Sequence, residues 1–123
     1  MKILIAEDEE ILKRVLQEKF EKEKFTVVVV DDGDKVLLAV KSFSPDLILL
    51  DIMLPKKDGL SVLEELHADP ELARIPVIIL SNLGEDEKIK KALSLGAVDY
   101  LVKTQHPINE VLERVKTHLL KPY

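Results

Sequence analysis

Short apolar runs alternate with amphipathic segments along the whole chain. Each run has the length of a strand, and each is followed by a segment whose apolar residues recur every three or four positions, as on one face of a helix. The pattern predicts five strands, over residues 2–6, 25–30, 46–51, 77–81 and 98–102. It predicts a helix after each strand, over roughly residues 9–22, 34–43, 60–68, 85–95 and 107–119.

Strands that alternate with helices indicate an α/β fold, in which a parallel sheet carries helices on both faces. The carboxyl ends of such strands gather at one edge of the sheet, and ligands bind there. With 123 residues the chain has room for one hydrophobic core. We therefore expect a single domain over residues 1–123.

Composition narrows the classes of partner. The net charge of −5 argues against binding nucleic acid by neutralising phosphates. The chain has no cysteine, which excludes disulfides and thiolate metal sites. Its apolar runs are too short to span a bilayer, and the first residues do not resemble a signal peptide. We expect a cytoplasmic protein without a membrane or direct nucleic-acid partner, and we expect its three histidines, His67, His106 and His118, at the surface.

Asp51 directly follows a run of four apolar residues, LILL at positions 47–50, that predicts a strand buried on both faces. A carboxylate in that position is costly unless it is paired or binds a metal ion. Glu7 and Asp8 follow the first strand, so the three carboxylates lie close together if the first and third strands are neighbours. Like charges at that distance raise one another's pKa unless a cation neutralises them. With oxygen ligands alone, the natural cation is a hard ion such as Mg²⁺.

Two further polar residues follow the other strands at the same edge. Ser81 ends the fourth strand, and Lys103 follows the fifth. A carboxylate beside Mg²⁺, a lysine and a hydroxyl can hold a phosphoryl group, because phosphoryl transfer needs positioning and neutralised charge. Asp51 would then attack phosphorus and become an acyl phosphate.

The chain resembles the response-regulator receiver domains of bacterial two-component signalling. Four motifs carry the resemblance, in the order and spacing of that family: KILIAEDEE, DLILLDIMLPKKDGL, IPVIILSN and GAVDYLVK. The resemblance implies a doubly wound, flavodoxin-like (βα)5 fold with a five-stranded parallel sheet of order 2-1-3-4-5. It also implies a regulatory domain that catalyses only the gain and loss of its own phosphoryl group.

The resemblance assigns roles to individual residues. Asp51 is the phosphoacceptor and, with Asp8, a ligand of Mg²⁺. Glu7 completes the acidic pair, often through water, and Met53 supplies a backbone carbonyl to the metal ion. The remaining roles concern the phosphoryl group and the switch: Ser81 and Lys103 bind the group, and the rotamer of Tyr100 is coupled to Ser81.

The family also implies the partners. A histidine on a sensor kinase or on a phosphotransfer protein donates the phosphoryl group. The group then shifts the surface formed by the fourth helix, fifth strand and fifth helix, here roughly residues 85–95 and 100–115. That surface binds a downstream protein or effector domain, and it is also a candidate for homodimer formation.

Two positions depart from the family pattern. Thr104 follows Lys103, where most receivers have a proline in a cis peptide bond, and we expect a trans bond because a cis bond without proline costs about 3 kcal/mol. Asn82 stands where a small residue is usual. We expect Asn82 to set the lifetime of the phosphorylated state together with Leu83 and Met53, which line the route of hydrolytic water in the family.

Two other functions compete with the switch. An aspartate-based phosphohydrolase needs a second acid two residues after its nucleophile, and Met53 occupies that position. A phosphate-independent, receiver-like interaction module is the alternative. Such modules tend to lose an acid or the lysine, and this chain keeps them all, which favours the switch.

Overall fold

The sheet has five parallel strands. The computed structural model describes residues 1–120, so the last three positions of the predicted domain lie outside the described residues. The strands are β1 (Lys2–Ala6), β2 (Thr26–Val30), β3 (Leu47–Leu50), β4 (Val77–Ser81) and β5 (Asp99–Val102). Their order is β2-β1-β3-β4-β5, with every neighbouring pair parallel. The predicted fold and strand order are confirmed, and the assignment of residues 1–123 to one domain stays a prediction.

Each strand is followed by an α-helix, as predicted. The helices are α1 (Glu10–Lys22), α2 (Val36–Phe43), α3 (Gly59–Ala68), α4 (Asp86–Ser94) and α5 (Ile108–Leu119). α2 begins later than predicted because a 3-10 turn, Gly33–Lys35, precedes it, with Asp32 as its cap. Pro107 precedes α5 instead of lying in its first turn. No helix within residues 1–120 has the length and apolar character needed to cross a bilayer.

Both faces of the sheet are buried, and each has its own core. Alternate residues of a strand point to opposite faces, so Ile3 and Ile5 contribute to one core and Leu4 and Ala6 to the other. The first core contains buried residues of α1 and α5, and the second those of α2, α3 and α4. Because the central strands are apolar on both faces, their chemistry is confined to their ends.

The apolar face of α1 is wider than its contact with the sheet. Leu16 and Phe20 are fully buried, whereas Ile11 is 80% exposed and Val15 is 39% exposed. Helical spacing identifies the stripe of apolar residues, but the angle at which the helix packs decides how much of the stripe is covered. On α1 the uncovered part lies in the first turns, nearest to the carboxyl edge of the sheet.

His118 corrects one prediction from the sequence. We expected all three histidines at the surface, and His67 is exposed while His106 is half-buried. His118 is only 7% exposed, and its Nε2 lies 3.0 Å from Oδ2 of Asp99. It follows the buried Val115 by three positions, which places it on the same face of α5. The prediction was wrong for His118 because position on the helix, and not polarity, decides its burial.

Candidate functional site

Backbone hydrogen bonds fix the residues that follow the strands at the carboxyl edge. The Asp51 amide donates to the Ala6 carbonyl at 3.0 Å, and the Lys103 amide donates to the Ser81 carbonyl at 2.9 Å. The Glu7 amide likewise donates to the last residue of β2 at 3.0 Å. The sheet therefore extends its hydrogen bonding by one residue at each of these strands. The side chains of Glu7, Asp51 and Lys103 therefore start from backbone that is hydrogen-bonded to the sheet.

Three predicted acids meet at this edge. One carboxylate oxygen of each of Glu7, Asp8 and Asp51 lies within 4.8 Å of the others. Glu7 and Asp51 are almost fully buried, and Asp8 is exposed. Burial raises the pKa of the Glu7 carboxyl, and the nearby Asp51 charge acts in the same direction. A donor set made only of oxygens fits Mg²⁺, which prefers carboxylates, carbonyls and water.

Met53 lies beside this cluster, as predicted. Its amide donates a hydrogen bond to Oδ1 of Asp51 at 3.2 Å, so that one carboxylate oxygen is held by backbone. The Met53 side chain is exposed and lines the cleft above the acids. The backbone of Met53 is thus next to the acids, and a role of its carbonyl as a metal ligand stays a prediction.

Lys103 places one positive charge among these acids. Its Nζ lies 2.8 Å from Oδ2 of Asp51, 2.8 Å from Oε1 of Glu7 and 2.5 Å from Oε2 of Glu9. Burial acts to lower the pKa of Lys103, but its hydrogen bonds to Asp51, Glu7 and Glu9 outweigh this effect and leave the pKa above the ordinary value. Lys103 is therefore fully charged at neutral pH. Its charge compensates the burial of Glu7 and Asp51.

Leu83 connects Ser81 to Tyr100 through its backbone. The Leu83 amide donates to Ser81 Oγ at 3.3 Å, and the Tyr100 hydroxyl donates to the Leu83 carbonyl. Ser81 is fully buried, and the ring of Tyr100 packs against the core on the side of α2, α3 and α4. Burial raises the pKa of the Tyr100 hydroxyl. The two residues predicted to form the switch are therefore linked through the backbone of a single residue, Leu83.

A small cleft opens above Asp51. It has a volume of about 180 Å³ and is lined by Asp8, Glu9, Asp51, Met53, Asn82 and Lys103. Asn82 and Met53 thus border the cleft, whereas Leu83 is not among its lining residues. Their role in the lifetime of the phosphorylated state stays a prediction. No peptide bond within residues 1–120 is cis, so the bond between Lys103 and Thr104 is trans, as predicted.

Two glycines allow the loops to pack under this cleft. A Cβ on Gly59 would lie 2.1 Å from the Asp51 carbonyl oxygen, so only glycine lets α3 start directly beneath Asp51. A Cβ on Gly33 would lie 1.7 Å from the Lys57 carbonyl oxygen. These two contacts hold the loop after β3 against its neighbours, and this loop contains Met53.

Reasoning from sequence missed one residue of the site. Glu9 was not among the predicted site residues, yet its carboxylate contacts Lys103 across 94 positions of sequence. One signal was available, because Glu9 directly follows the acidic pair at the start of a helix, where Ser, Thr, Asp or Asn is the usual capping residue. The direction of its side chain depends on where α1 begins.

Comparisons with known proteins agree with this geometry. The family model of the response regulator receiver domain matches residues 3–116. The phosphate regulon transcriptional regulatory protein PhoB of Rhizobium meliloti is 37% identical over 118 residues, which cover 96% of this chain and 52% of PhoB. The alkaline phosphatase synthesis transcriptional regulatory protein PhoP of Bacillus subtilis is 38% identical over 120 residues, covering 96% of this chain and 48% of PhoP.

A solved structure shows the same architecture. The BeF3-activated N-terminal receiver domain of RstA from Klebsiella pneumoniae superposes with a TM-score of 0.91 at 33% identity, covering 98% of this chain and all of that domain. The chain belongs to the response regulator receiver domain family of two-component systems. It spans about half the length of the curated relatives that it matches.

Proposed function

We propose that this receiver domain is a phosphorylation-driven switch whose phosphoacceptor is Asp51. The observation that carries the proposal is the contact of 2.8 Å between the buried Asp51 carboxylate and Lys103 Nζ, beside Glu7 and Asp8. A nucleophile, a fixed cation and an oxygen ligand set thus share one cleft. Those are the parts that phosphoryl transfer requires of a protein.

In the transfer step, one carboxylate oxygen of Asp51 forms a bond to phosphorus as the P–N bond of a phosphohistidine breaks. The electron pair of that bond returns to the imidazole, whose other nitrogen keeps the leaving ring neutral by carrying a proton. Lys103 keeps its own proton throughout and contacts the transferred oxygens. Ser81 Oγ can donate to one of these oxygens once it turns away from the Leu83 amide.

Glu7, Asp8, Asp51 and the Met53 carbonyl are the residues that would hold Mg²⁺. When bound, the ion supplies positive charge that neutralises the oxygens of the transferring group. The Glu7 carboxylate is held in a fixed position for this role. One of its oxygens accepts a hydrogen bond from the Glu9 amide at 3.0 Å, and the other contacts Lys103. Asp8 is exposed and can therefore bind the ion directly at little cost in desolvation.

The switch would operate through the backbone of Leu83. If Ser81 Oγ rotates towards the phosphoryl group, the Leu83 amide loses its acceptor, and the carbonyl of the same residue is the acceptor of Tyr100. A movement of the loop after β4 would therefore also move the acceptor of the Tyr100 hydroxyl. Tyr100 lies on β5, so the change reaches the surface formed by α4, β5 and α5.

The partners follow from this mechanism. A histidine of a sensor kinase or of a phosphotransfer protein would donate the phosphoryl group, and the surface of α4, β5 and α5 would bind a downstream protein, an effector domain or a second copy of the chain. The two relatives described above are transcriptional regulators about twice as long as this chain. The proposal also places the domain in the cytoplasm, where a sensor kinase would present its phosphohistidine.

Intact mass spectrometry tests the proposal. The protein is incubated with Mg²⁺ and acetyl phosphate or phosphoramidate, and its mass is recorded over time. We expect one phosphoryl adduct in the wild-type protein and none in Asp51→Asn. The matched control is Asp34→Asn, which removes an exposed aspartate outside the cleft and should keep the adduct.

The other outcomes have defined meanings. An adduct that persists in Asp51→Asn would reject Asp51 as the acceptor. If the protein forms no adduct and does not bind beryllium fluoride, the phosphate-independent interaction module is the function that remains. Rapid turnover of many phosphomonoesters would favour a phosphohydrolase instead.

A further inference from the structure

Glu9 occupies the capping position of α1 but does not cap the helix. Its backbone is extended, and its side chain makes no hydrogen bond to the first turn. Residues at this position usually accept a hydrogen bond from an amide two or three residues later. The Glu9 carboxylate instead lies 2.5 Å from Lys103 Nζ. The first turn of α1 therefore lacks a capping bond from Glu9, and Lys103 gains a third anionic partner.

Lys103 has no spare hydrogen-bond donor. A lysine ammonium group has three N–H donors, and three carboxylates surround this one: those of Glu7, Asp51 and Glu9. Phosphorylation converts the Asp51 carboxylate into an acyl phosphate and brings three phosphoryl oxygens to Lys103, so these oxygens compete with the Glu7 and Glu9 carboxylates for its donors. The Glu7 and Asp51 side chains are 2% and 3% exposed, whereas that of Glu9 is 53% exposed. Water can solvate Glu9 after release, so Glu9 is the least costly to displace.

The position of Glu9 agrees with such an exchange. Its side chain lines the cleft above Asp51. It also lines a groove of about 530 Å³ that runs from Lys103 and Thr104 to the exposed apolar residues of α1. Glu9 thus stands between bulk solvent and the ammonium group.

We propose that Glu9 is a positioning residue that holds Lys103 in the unphosphorylated domain and yields its place to a phosphoryl oxygen on Asp51. The inference rests on the function proposed above and adds a regulatory residue to it. It has two electrostatic consequences of opposite sign. The Glu9 charge repels an anionic phosphodonor, and the same charge attracts Mg²⁺, both directly and by neutralising Lys103.

Glu9→Gln and Glu10→Gln form a matched pair for the test. Both remove one negative charge from adjacent residues, but Glu10 contacts Lys13 at 2.8 Å and not Lys103. At low ionic strength and saturating Mg²⁺, we expect Glu9→Gln to accelerate phosphorylation by acetyl phosphate about fivefold. Calorimetric titration should show its Mg²⁺ affinity lowered about fivefold. Glu10→Gln should change each quantity less than about twofold, and added salt should reduce both effects.

A general structural defect would impair both phosphorylation and Mg²⁺ binding, so parallel losses in Glu9→Gln would overturn the inference. Equal shifts in the two variants would also overturn it, because they would show a long-range charge effect without the Lys103 contact. Glu9→Asp keeps the charge but shortens the side chain, and it should fall between wild type and Glu9→Gln in both measurements. If wild type forms no adduct at Asp51, the proposed function fails first, and the inference with it.

Discussion

At the scale of single residues, the burial of Asp51 and Glu7 depends on Lys103. Two buried carboxylates beside one another are stable only when a cation compensates them, and the ammonium group lies within 2.8 Å of both. The two acids are therefore compensated within the folded domain. The same three groups belong to the proposed phosphoryl site, so the proposal implies that stability and function share one set of contacts.

Replacing Lys103 should lower the free energy of unfolding. The pKa of Lys103 is higher in the folded protein than in the unfolded chain, so its contribution is fully present below the unfolded value and is lost only as the pH rises through the folded value. We expect Lys103→Met to lower the free energy of unfolding at pH 7 by about 2 kcal/mol in metal-free buffer. Urea unfolding measures this change. Lys22→Met, at an exposed lysine on α1, should change it by less than about 0.5 kcal/mol.

Gly33 supports the site through close packing of the backbone. Its substitution by alanine would force a Cβ to 1.7 Å from the Lys57 carbonyl oxygen. We expect Gly33→Ala to lower the free energy of unfolding by about 2 kcal/mol or more. Gly84→Ala is the control, because its Cβ would meet only Val102 methyl groups at 3.5 and 3.7 Å. Equal destabilisation of both variants in urea unfolding would refute this explanation.

At the scale of elements, a polar cluster attaches the end of α5 to the start of β5. Oδ2 of Asp99 accepts from Arg114 at 2.8 Å and lies 3.0 Å from His118 Nε2. Burial alone would raise the pKa of Asp99, but the hydrogen bonds with Arg114 and His118 outweigh it and hold the pKa below the ordinary value. This cluster lies at the amino end of β5, opposite to the proposed phosphoryl site. It anchors the end of the proposed output surface that lies farther from that site.

The contribution of Asp99 to stability should decrease at low pH. Because the folded pKa of Asp99 is lowered, its contribution is present above the unfolded value near 4 and is lost as the pH falls through the folded value. We expect Asp99→Asn to lower the free energy of unfolding by about 1 kcal/mol at pH 7, since Arg114 is partly exposed. The difference from wild type should shrink below pH 4. A difference that stays constant with pH would show that charge is not the cause.

At the scale of the whole molecule, binding of Mg²⁺ should stabilise the fold. The acids meet only when β1 and β3 pair, so the unfolded chain has no equivalent site. We expect Mg²⁺ at a hundred times its dissociation constant to add about 2.7 kcal/mol to the free energy of unfolding. Thermal melts with increasing Mg²⁺ measure this effect. Asp8→Asn should remove most of it, whereas Asp31→Asn, at an exposed acid of the same edge paired with Lys35, should keep it.

The sequence was sufficient for the elements because their signals are local. Strand-length apolar runs and helical spacing located all five strands and all five helices to within a few residues. Polar residues at strand ends located the candidate site, because parallel strands end at one edge. The strand order came from resemblance to a family, since spacing along a chain does not encode which strands pair.

Tertiary structure decided what depends on contacts between distant segments. The packing angle of α1 leaves Ile11 exposed, and the face of α5 buries His118 against Asp99. The start of α1 directs Glu9 to Lys103 instead of to its own helix. Composition and periodicity thus determined which residues could form the site. Only the tertiary structure determined which carboxylates contact the Lys103 ammonium group. A side chain reaches only a few ångströms, so its partners depend on how the fold positions distant segments of backbone.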